Sequence, residues 1–412
     1  MVKYEYKDFK TVLKVMKYVD SWFWCKYIIN CYNGCEHACI YCDTRSFRYY
    51  LHQDFGQTIY IKTIKGQPIG KALDDRLRRA RSLLPDITII GSAGDAYQPV
   101  EMEYGNTRQI LQVLLKHKYP LSILTKSDLI QNDLDLISKI ANASWAAVSF
   151  TITTFNKEIN KFLEPGAPRS ENRIKCLELI NEKYPEIQTG VFIMPIVPFL
   201  TDDDETLEEL IKRSKEGGVD CILFSGMTMR DFQAAYFMSK LEEKYPELIK
   251  KYNDLYNANY TPEIANLMKS LQKGEDVQKK SEKLKSIFRC DYTPNMTYMK
   301  KINEKVVKLC KKYDIKYRLK RYIPKDYRKL NYKISQYLCD MSYDRQIQGK
   351  YYKHLLWAGL NIGNLKESIQ DIANRNELKS IKSVGDKIVE LIKPFLKSKK
   401  DLESFFKKSQ NG

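Results

Sequence analysis

Between residues 24 and about 230, short β-rich apolar runs alternate with longer stretches whose apolar residues recur at helical spacing. The runs fall at 26–30, 87–91, 121–125, 146–151, 189–194 and 220–225, and the spacing between them predicts helices over 106–116, 129–141, 170–183 and 204–216. Six strands in β-then-α order predict an α/β fold with a parallel sheet, open or curled toward a barrel. Ligands in such sheets collect where strands end and the next loops begin, so candidate chemistry is sought just after each run. Past residue 230 the pattern changes to long helical segments rich in lysine and tyrosine. The segments expected are an N-terminal extension (1–23), the barrel (24–235), a basic Tyr/Lys-rich helical region completing the core (236–345) and a small all-α domain (346–412). No internal repeat of 20 to 50 residues is visible.

The chain has 412 residues, with 69 Lys+Arg against 51 Asp+Glu and a net charge of +18. Hydrophobic residues at 43% and charged residues at 29% exclude bulk disorder, and the length exceeds that of a disulfide-stapled miniprotein. The most apolar stretch, 190–200, contains Pro195 and Pro198 and is too short to span a membrane. The opening MVKYEYKDFK has no apolar signal core, so a cytoplasmic protein is expected. Its 10 cysteines then read as reduced thiols or metal ligands. Cys176 and Cys221, alone in apolar runs, read as small buried hydrophobes.

The informative cysteines are clustered. Directly after the first strand run stands CYNGCEHACIYC, where Cys35, Cys39 and Cys42 have the spacing C-x3-C-x2-C. Three thiolates on one loop suit an iron-sulfur cluster or zinc. On a 4Fe-4S cluster they leave one iron open to bind and activate another molecule. The zinc alternative takes a fourth ligand from His37 or Cys31, or keeps an open catalytic position.

This loop, with Tyr41 just before the third cysteine, resembles the signature of the radical S-adenosylmethionine (radical SAM) superfamily. GSAGDAYQPVE (91–101), ILTKSDLI (123–130), VSFTITT (148–154), FLEPGAPR (162–169) and GVFIMPIVPFLTD (190–202) narrow the resemblance to the spore photoproduct lyase-related, DNA repair photolyase-like branch, over roughly residues 24–325. The resemblance implies a partial (βα)6 TIM-like barrel, a 4Fe-4S cluster on Cys35, Cys39 and Cys42, and reductive cleavage of S-adenosylmethionine to a 5′-deoxyadenosyl radical that abstracts hydrogen from a substrate. By the same analogy Ser92, Gly94 and Asp95 receive the methionine amino group and Lys126 pairs with its carboxylate. Ser149 bonds the ribose or methionine portion, with Thr151 and Thr153 as weaker candidates, and Tyr41 and Gly190 lie near the adenine. Each has a plainer reading: Asp95 as a turn cap, Lys126 as a solvated lysine, Ser149 as back-bonding within a strand.

Spore photoproduct lyase itself is expected to use a cysteine near the end of the second strand and tyrosines flanking the last cluster cysteine. Here the second-strand loop reads Ser92-Ala93-Gly94-Asp95, and Asp43 follows Cys42, so repair of the spore lesion is not the expected reaction. Tyr41 and Tyr97 are the candidate catalytic aromatics.

The basic regions add a partner class. Residues 285–333 carry 16 Lys+Arg, 4 Asp+Glu and seven tyrosines, and 346–412 carries +6. Phosphate neutralisation is one use of such charge, and a solvated helical face is the plain one. ELKSIKSVGDKIVELIKPFL (377–396) resembles the second half of a helix-hairpin-helix module, with 365–374 as the partner helix. Val384 and Gly385 would then offer N–H groups to a phosphate between Lys382 and Lys387, although Ser383 stands where the module usually has its first glycine. The reading is a radical SAM enzyme acting on or near nucleic acid, DNA foremost, reduced by a flavodoxin or ferredoxin-type donor. A radical SAM enzyme on a peptide or small molecule, and a non-enzymatic nucleic-acid-binding metalloprotein, are the alternatives.

Overall fold

The structure is a computed structural model that describes residues 2–48, 55–80, 82–272 and 277–396. The strands are β1 (Lys3–Asp8), β2 (Lys14–Val15), β3 (Tyr27–Ile29), β4 (Tyr32–Asn33), β5 (Thr58–Ile64), β6 (Gln67–Pro68), β7 (Thr88–Ile90), β8 (Leu121–Thr125), β9 (Ala146–Thr151), β10 (Gln188–Ile196) and β11 (Cys221–Gly226). The main sheet has the spatial order β11-β10-β9-β8-β7-β3-β2. Its six strands from β3 to β11 run parallel and neighbour one another in chain order, and short β2 pairs antiparallel at the edge. This is the α/β arrangement expected from the sequence. Every residue of β9 is buried, as expected of a central parallel strand covered on both faces. Beyond β11, Lys316 bridges Cys221 in parallel and its carbonyl accepts the Ile222 N–H (2.8 Å), extending the edge of the sheet.

Helices Asn106–His117, Leu134–Ala143, Ser170–Lys183 and Asp204–Glu216 connect the strands. The second begins later than the pattern indicated. The Ser127 hydroxyl accepts the Leu129 N–H (3.3 Å), and residues Asp128–Asp133 form tight 3-10 turns before the α-helix starts. A second sheet was not anticipated: β1 pairs in parallel with β5, which also pairs with β4 and β6. The alternating TIYIKTI of β5 was its available signal.

The chain forms two compact units, Met1–Val15 with Tyr27–Leu319, and Met16–Lys26 with Lys320–Gly412. The helix Arg328–Ile347, assigned by composition to the 236–345 segment, therefore packs within the second unit, against Lys353–Gly363. Its Ile334 and Leu338 share one apolar core with Leu355, Ile369, Ile388 and Phe395. The expected helix over 365–374 is shorter, Ile369–Asn374, because the Ser368 hydroxyl caps it by accepting the Gln370 N–H (3.2 Å). Among the described residues no helix is long and apolar enough to cross a membrane.

Candidate active site

The cysteine loop follows β4 and is gripped from three sides. Arg45, buried, donates from Nε to the Cys39 carbonyl (2.9 Å) and from Nη2 to the Ala38 carbonyl (2.8 Å), while its guanidinium lies over Phe55 (4.5 Å) and Tyr236 (4.1 Å). Gln98 donates to the Gly34 carbonyl (3.1 Å) and accepts the Glu36 N–H (2.9 Å). On the third side lies the EPG turn, whose Gly166 N–H donates to the His37 carbonyl (3.0 Å). A Cβ at Gly166 would stand 2.1 Å from the Glu36 carbonyl oxygen, so only glycine permits this approach.

Cys35 and Cys39 are buried and Cys42 is half-buried. Burial pushes the Cys39 thiol up to about 12, partly offset by Lys126. Among the described residues no three Cys, His, Asp or Glu side chains close around one metal ion. The extra zinc ligands considered above are also engaged elsewhere. His37 lies between the Gly166 carbonyl (Nδ1, 3.3 Å) and Asp95 Oδ2 (Nε2, 3.2 Å), and Cys31 Sγ accepts from the Thr107 hydroxyl (3.3 Å). A donor set of sulfurs alone, one per metal corner, fits an iron-sulfur cluster better than a mononuclear site.

Asp95 is a hub. Its carboxylate accepts the Tyr97 N–H (2.9 Å), the Thr125 hydroxyl (2.6 Å) and the Lys126 N–H (2.8 Å), and its own N–H points to Cys35 Sγ (3.5 Å). Burial acts to raise its pKa, but His37 and these donors outweigh it and hold the carboxyl well below the usual carboxylate range. Asp95 thereby ties the loop after β7 to the end of β8 and to the cysteine loop. Gly94 allows the same approach, since a Cβ there would lie 3.0 Å from the Gly34 carbonyl. Ser92, exposed, donates to Asn30 Oδ1 (3.2 Å).

Lys126 ends β8 with its ammonium 5.7 Å from the centre of the Tyr41 ring and, among the described residues, without an ion-pair partner. Ser149 and Gly190 stand opposite each other on β9 and β10. Among the described residues the buried Ser149 hydroxyl has no hydrogen-bond partner, nor has that of Thr153. A Cβ on Gly190 would come 2.7 Å from Ser149 Oγ, so the glycine keeps space open above an unspent hydroxyl. Thr151 instead offers its carbonyl to Arg173 Nη1 (2.8 Å).

The two tyrosines expected to act in catalysis each hydrogen-bond a buried carboxylate. Tyr41 donates its hydroxyl to Glu164, whose other oxygen pairs with Arg173 (2.5 Å), with both side chains of that pair fully buried. Tyr97 donates to Asp133 Oδ2 (3.0 Å) and is buried. Both hydroxyl protons are engaged in these contacts among the described residues. The sequence reading missed Arg45, Glu164 and Arg173. The signal for Arg45 lay in CIYCDTR and that for Glu164 in FLEPGAPR, while Arg173 follows in the next helix with no motif of its own.

Family comparison identifies this arrangement. The Radical SAM superfamily model matches residues 29–214. An uncharacterized protein of Methanocaldococcus jannaschii is 31% identical over 249 residues, covering 59% of this chain and 86% of the relative. The chain belongs to the radical SAM superfamily.

An uncharacterized Mycobacterium tuberculosis protein is 30% identical over 235 residues, 56% of this chain and 67% of the relative. Among solved structures, a spore photoproduct lyase variant overlays with a TM-score of 0.52 at 12% identity, covering 75% of this chain and 79% of the other. At that identity the likeness concerns the fold alone. The protein is thus an enzyme of the radical SAM type, a class whose cofactors are a 4Fe-4S cluster and S-adenosylmethionine. The residues present fit both groups: sulfur donors on one loop, an unpaired cation at a strand end, and an unspent hydroxyl facing a glycine gap.

Proposed function

We propose that this radical SAM enzyme acts on nucleic acid, with Cys35, Cys39 and Cys42 holding the cluster and S-adenosylmethionine lying over the ends of β7 to β10. When bound, these cofactors supply the one-electron chemistry that abstracts a hydrogen atom from the substrate. The protein's share is placement. Lys126 pairs with the methionine carboxylate, Ser149 bonds the cofactor across the gap at Gly190, and Ser92 and Gly94 line the methionine amino end. Asp95 and Tyr41 are positioning residues: the first aligns two strand-end loops with Cys35, and the second anchors the cysteine loop to Glu164. An acidic flavodoxin or ferredoxin-type carrier supplies electrons, its encounter favoured by the net +18, in the reduced cytoplasm.

One observation in the second unit carries the choice of nucleic acid. Before the helix Asp386–Leu396, Ser383 adopts the left-handed conformation (φ 68°) at the glycine-like position of the turn. A side chain at Gly385 would meet open space, and Lys382 and Lys387 are exposed beside it. The Val384 N–H, expected to face a phosphate, instead donates to the Ile381 carbonyl (3.0 Å), because the Val384 side chain is buried in the unit's core. Gly385 and the helix N-terminus remain as the phosphate-facing part. Spore photoproduct lyase, whose fold overlays on 75% of this chain, has been solved with a dinucleoside spore photoproduct. That ligand supports the substrate class, although Ser92-Ala93-Gly94-Asp95 still lacks the thiol expected of that enzyme.

The test is duplex DNA binding against salt. Wild-type affinity is expected to fall steeply, and Lys382→Ala/Lys387→Ala to weaken binding and flatten the log-log slope by about 2. Salt-insensitive binding, or none, refutes the reading.

A further inference from the structure

The first unit holds a cavity of about 470 Å³ that the cofactor residues do not use, within the roughly 300–1,000 Å³ range of small-molecule sites. Its walls come from three distant segments: Phe47, five positions beyond Cys42; Arg230 and Asp231, just past β11; and the stretch containing Lys285, Arg289 and Tyr292. It adjoins the cysteine loop. The Thr228 hydroxyl donates to Asp43 (3.3 Å), the Ser46 hydroxyl to Asp231 (2.7 Å), and the Gln233 amide to the Tyr41 carbonyl (3.0 Å). The cavity therefore opens beside the residues that follow the third cysteine, on the side where β11 ends.

Its chemistry is a set of cations on rings. Lys285 lies over the Phe47 ring (4.4 Å) and Arg230 over the Tyr292 ring (4.5 Å). Among the described residues none of Arg230, Lys285 and Arg289 forms an ion pair. The wall holds one carboxylate, Asp231, which accepts from Ser46 and from the Phe47 N–H (3.3 Å), so the three cations outnumber it. Asp231 is itself held at φ 38°, an unfavourable conformation for a non-glycine residue, while it anchors that loop. Tyr292 and the side chains of Lys285 and Arg289 are exposed at the rim. Planar π faces next to an excess of cations match a ligand that is flat at one end and anionic at the other. An acidic peptide would use the cations and leave the rings without purpose.

We infer that this cavity binds one unstacked nucleotide of the substrate strand, its base against Tyr292 and Phe47 and its phosphates on Arg230, Lys285 and Arg289. The inference rests on the nucleic-acid reading above and deepens it: the recognised unit is a single-stranded or flipped-out nucleotide presented next to the cysteine loop. The cations now covering the rings move to the phosphates as the base takes the ring faces.

The test uses the full-length, cluster-loaded protein and a short single-stranded oligodeoxynucleotide carrying one 2-aminopurine, whose fluorescence is quenched on stacking. Wild type is expected to bind it with quenching. Tyr292→Ala should abolish most of the quenching and weaken binding roughly tenfold, Tyr292→Phe should restore both, and Lys285→Ala/Arg289→Ala should weaken binding and lower the salt slope by about 1.4. All these side chains sit at the rim, so unchanged melting temperatures separate recognition from folding. If Tyr292→Ala and Lys285→Ala/Arg289→Ala bind and quench like wild type while Lys382→Ala/Lys387→Ala does not, the cavity assignment falls and the nucleic-acid reading survives. If wild type binds no oligonucleotide at low salt, both fall. Displacement of the oligonucleotide by an acidic peptide but not by a mononucleotide also overturns the assignment, in favour of a protein ligand.

Discussion

Arg173→Met probes the buried network beneath the cysteine loop. In the wild type the guanidinium pairs with Glu164 (2.5 Å), donates twice to the Pro168 carbonyl (3.0 and 2.5 Å) and once to the Thr151 carbonyl (2.8 Å), with the charged pair 0% exposed on both sides. Methionine preserves much of the stem volume and removes every donor. Glu164 then stays buried with the Tyr41 hydroxyl, the Asn160 amide (3.2 Å) and the more distant Lys126 charge. Leaving one member of a buried ion pair uncompensated costs about 3–5 kcal/mol, and each carbonyl left without a donor about 1 more. The expected loss is therefore about 5–7 kcal/mol, a large part of the roughly 5–15 kcal/mol that holds a domain folded. Glu164→Gln in the same background removes the stranded charge and should recover about 2 kcal/mol. The assay is anaerobic urea unfolding of the single and double variants, with iron counted per chain. Because Tyr41 sits between Cys39 and Cys42, Arg173→Met should also lower iron loading, and the double variant should regain part of it. A loss below about 1 kcal/mol for Arg173→Met, or a double variant as unstable as the sum of the singles, would refute the coupling.

Two further outcomes follow from other parts of the first unit. Gly190→Ala puts a methyl group 2.7 Å from Ser149 Oγ, so affinity for S-adenosylmethionine in equilibrium dialysis should fall by about tenfold with iron content unchanged; an unaltered dissociation constant would show that the gap is not cofactor space. Burial lowers the Lys62 ammonium from 10.5 to about 8, beside the Phe9 ring (4.5 Å) and the neutral Cys31 thiol. The folded chain thus gives up that proton more readily than the unfolded one, and wild type gains stability as pH rises from 8 toward 10.5. Lys62→Met should be more stable than wild type by about 3 kcal/mol at pH 7, with the gap closing near pH 10.5 in parallel urea titrations; a pH-independent difference would contradict the burial of the ammonium.

The parallel strands were legible because alternation and apolar runs are local, and β8 and β9 lie where the pattern puts them. β1 and β5 escaped because a parallel pair bridging some fifty residues leaves no turn signal between its strands. In the second unit the glycine-like conformation at Ser383 survived the absence of glycine, since the packing of Val384 and the Ile381 contact hold the turn.

By itself the sequence determined the order of the strands, the three-cysteine loop after the first of them, and through these the family. Such features need only periodicity and short spacings, which neighbouring residues carry. Only the tertiary structure decided which polar groups are already spent. Tyr41 meets Glu164 across 123 positions and Gln233 reaches the Tyr41 carbonyl across 192, and these contacts fix the cysteine loop at Tyr41. The same holds for the cavity of Phe47, Arg230 and Tyr292, whose walls meet only after the chain has closed on itself. A buried donor must find an acceptor wherever folding brings one within about 3 Å, and no local pattern records that choice.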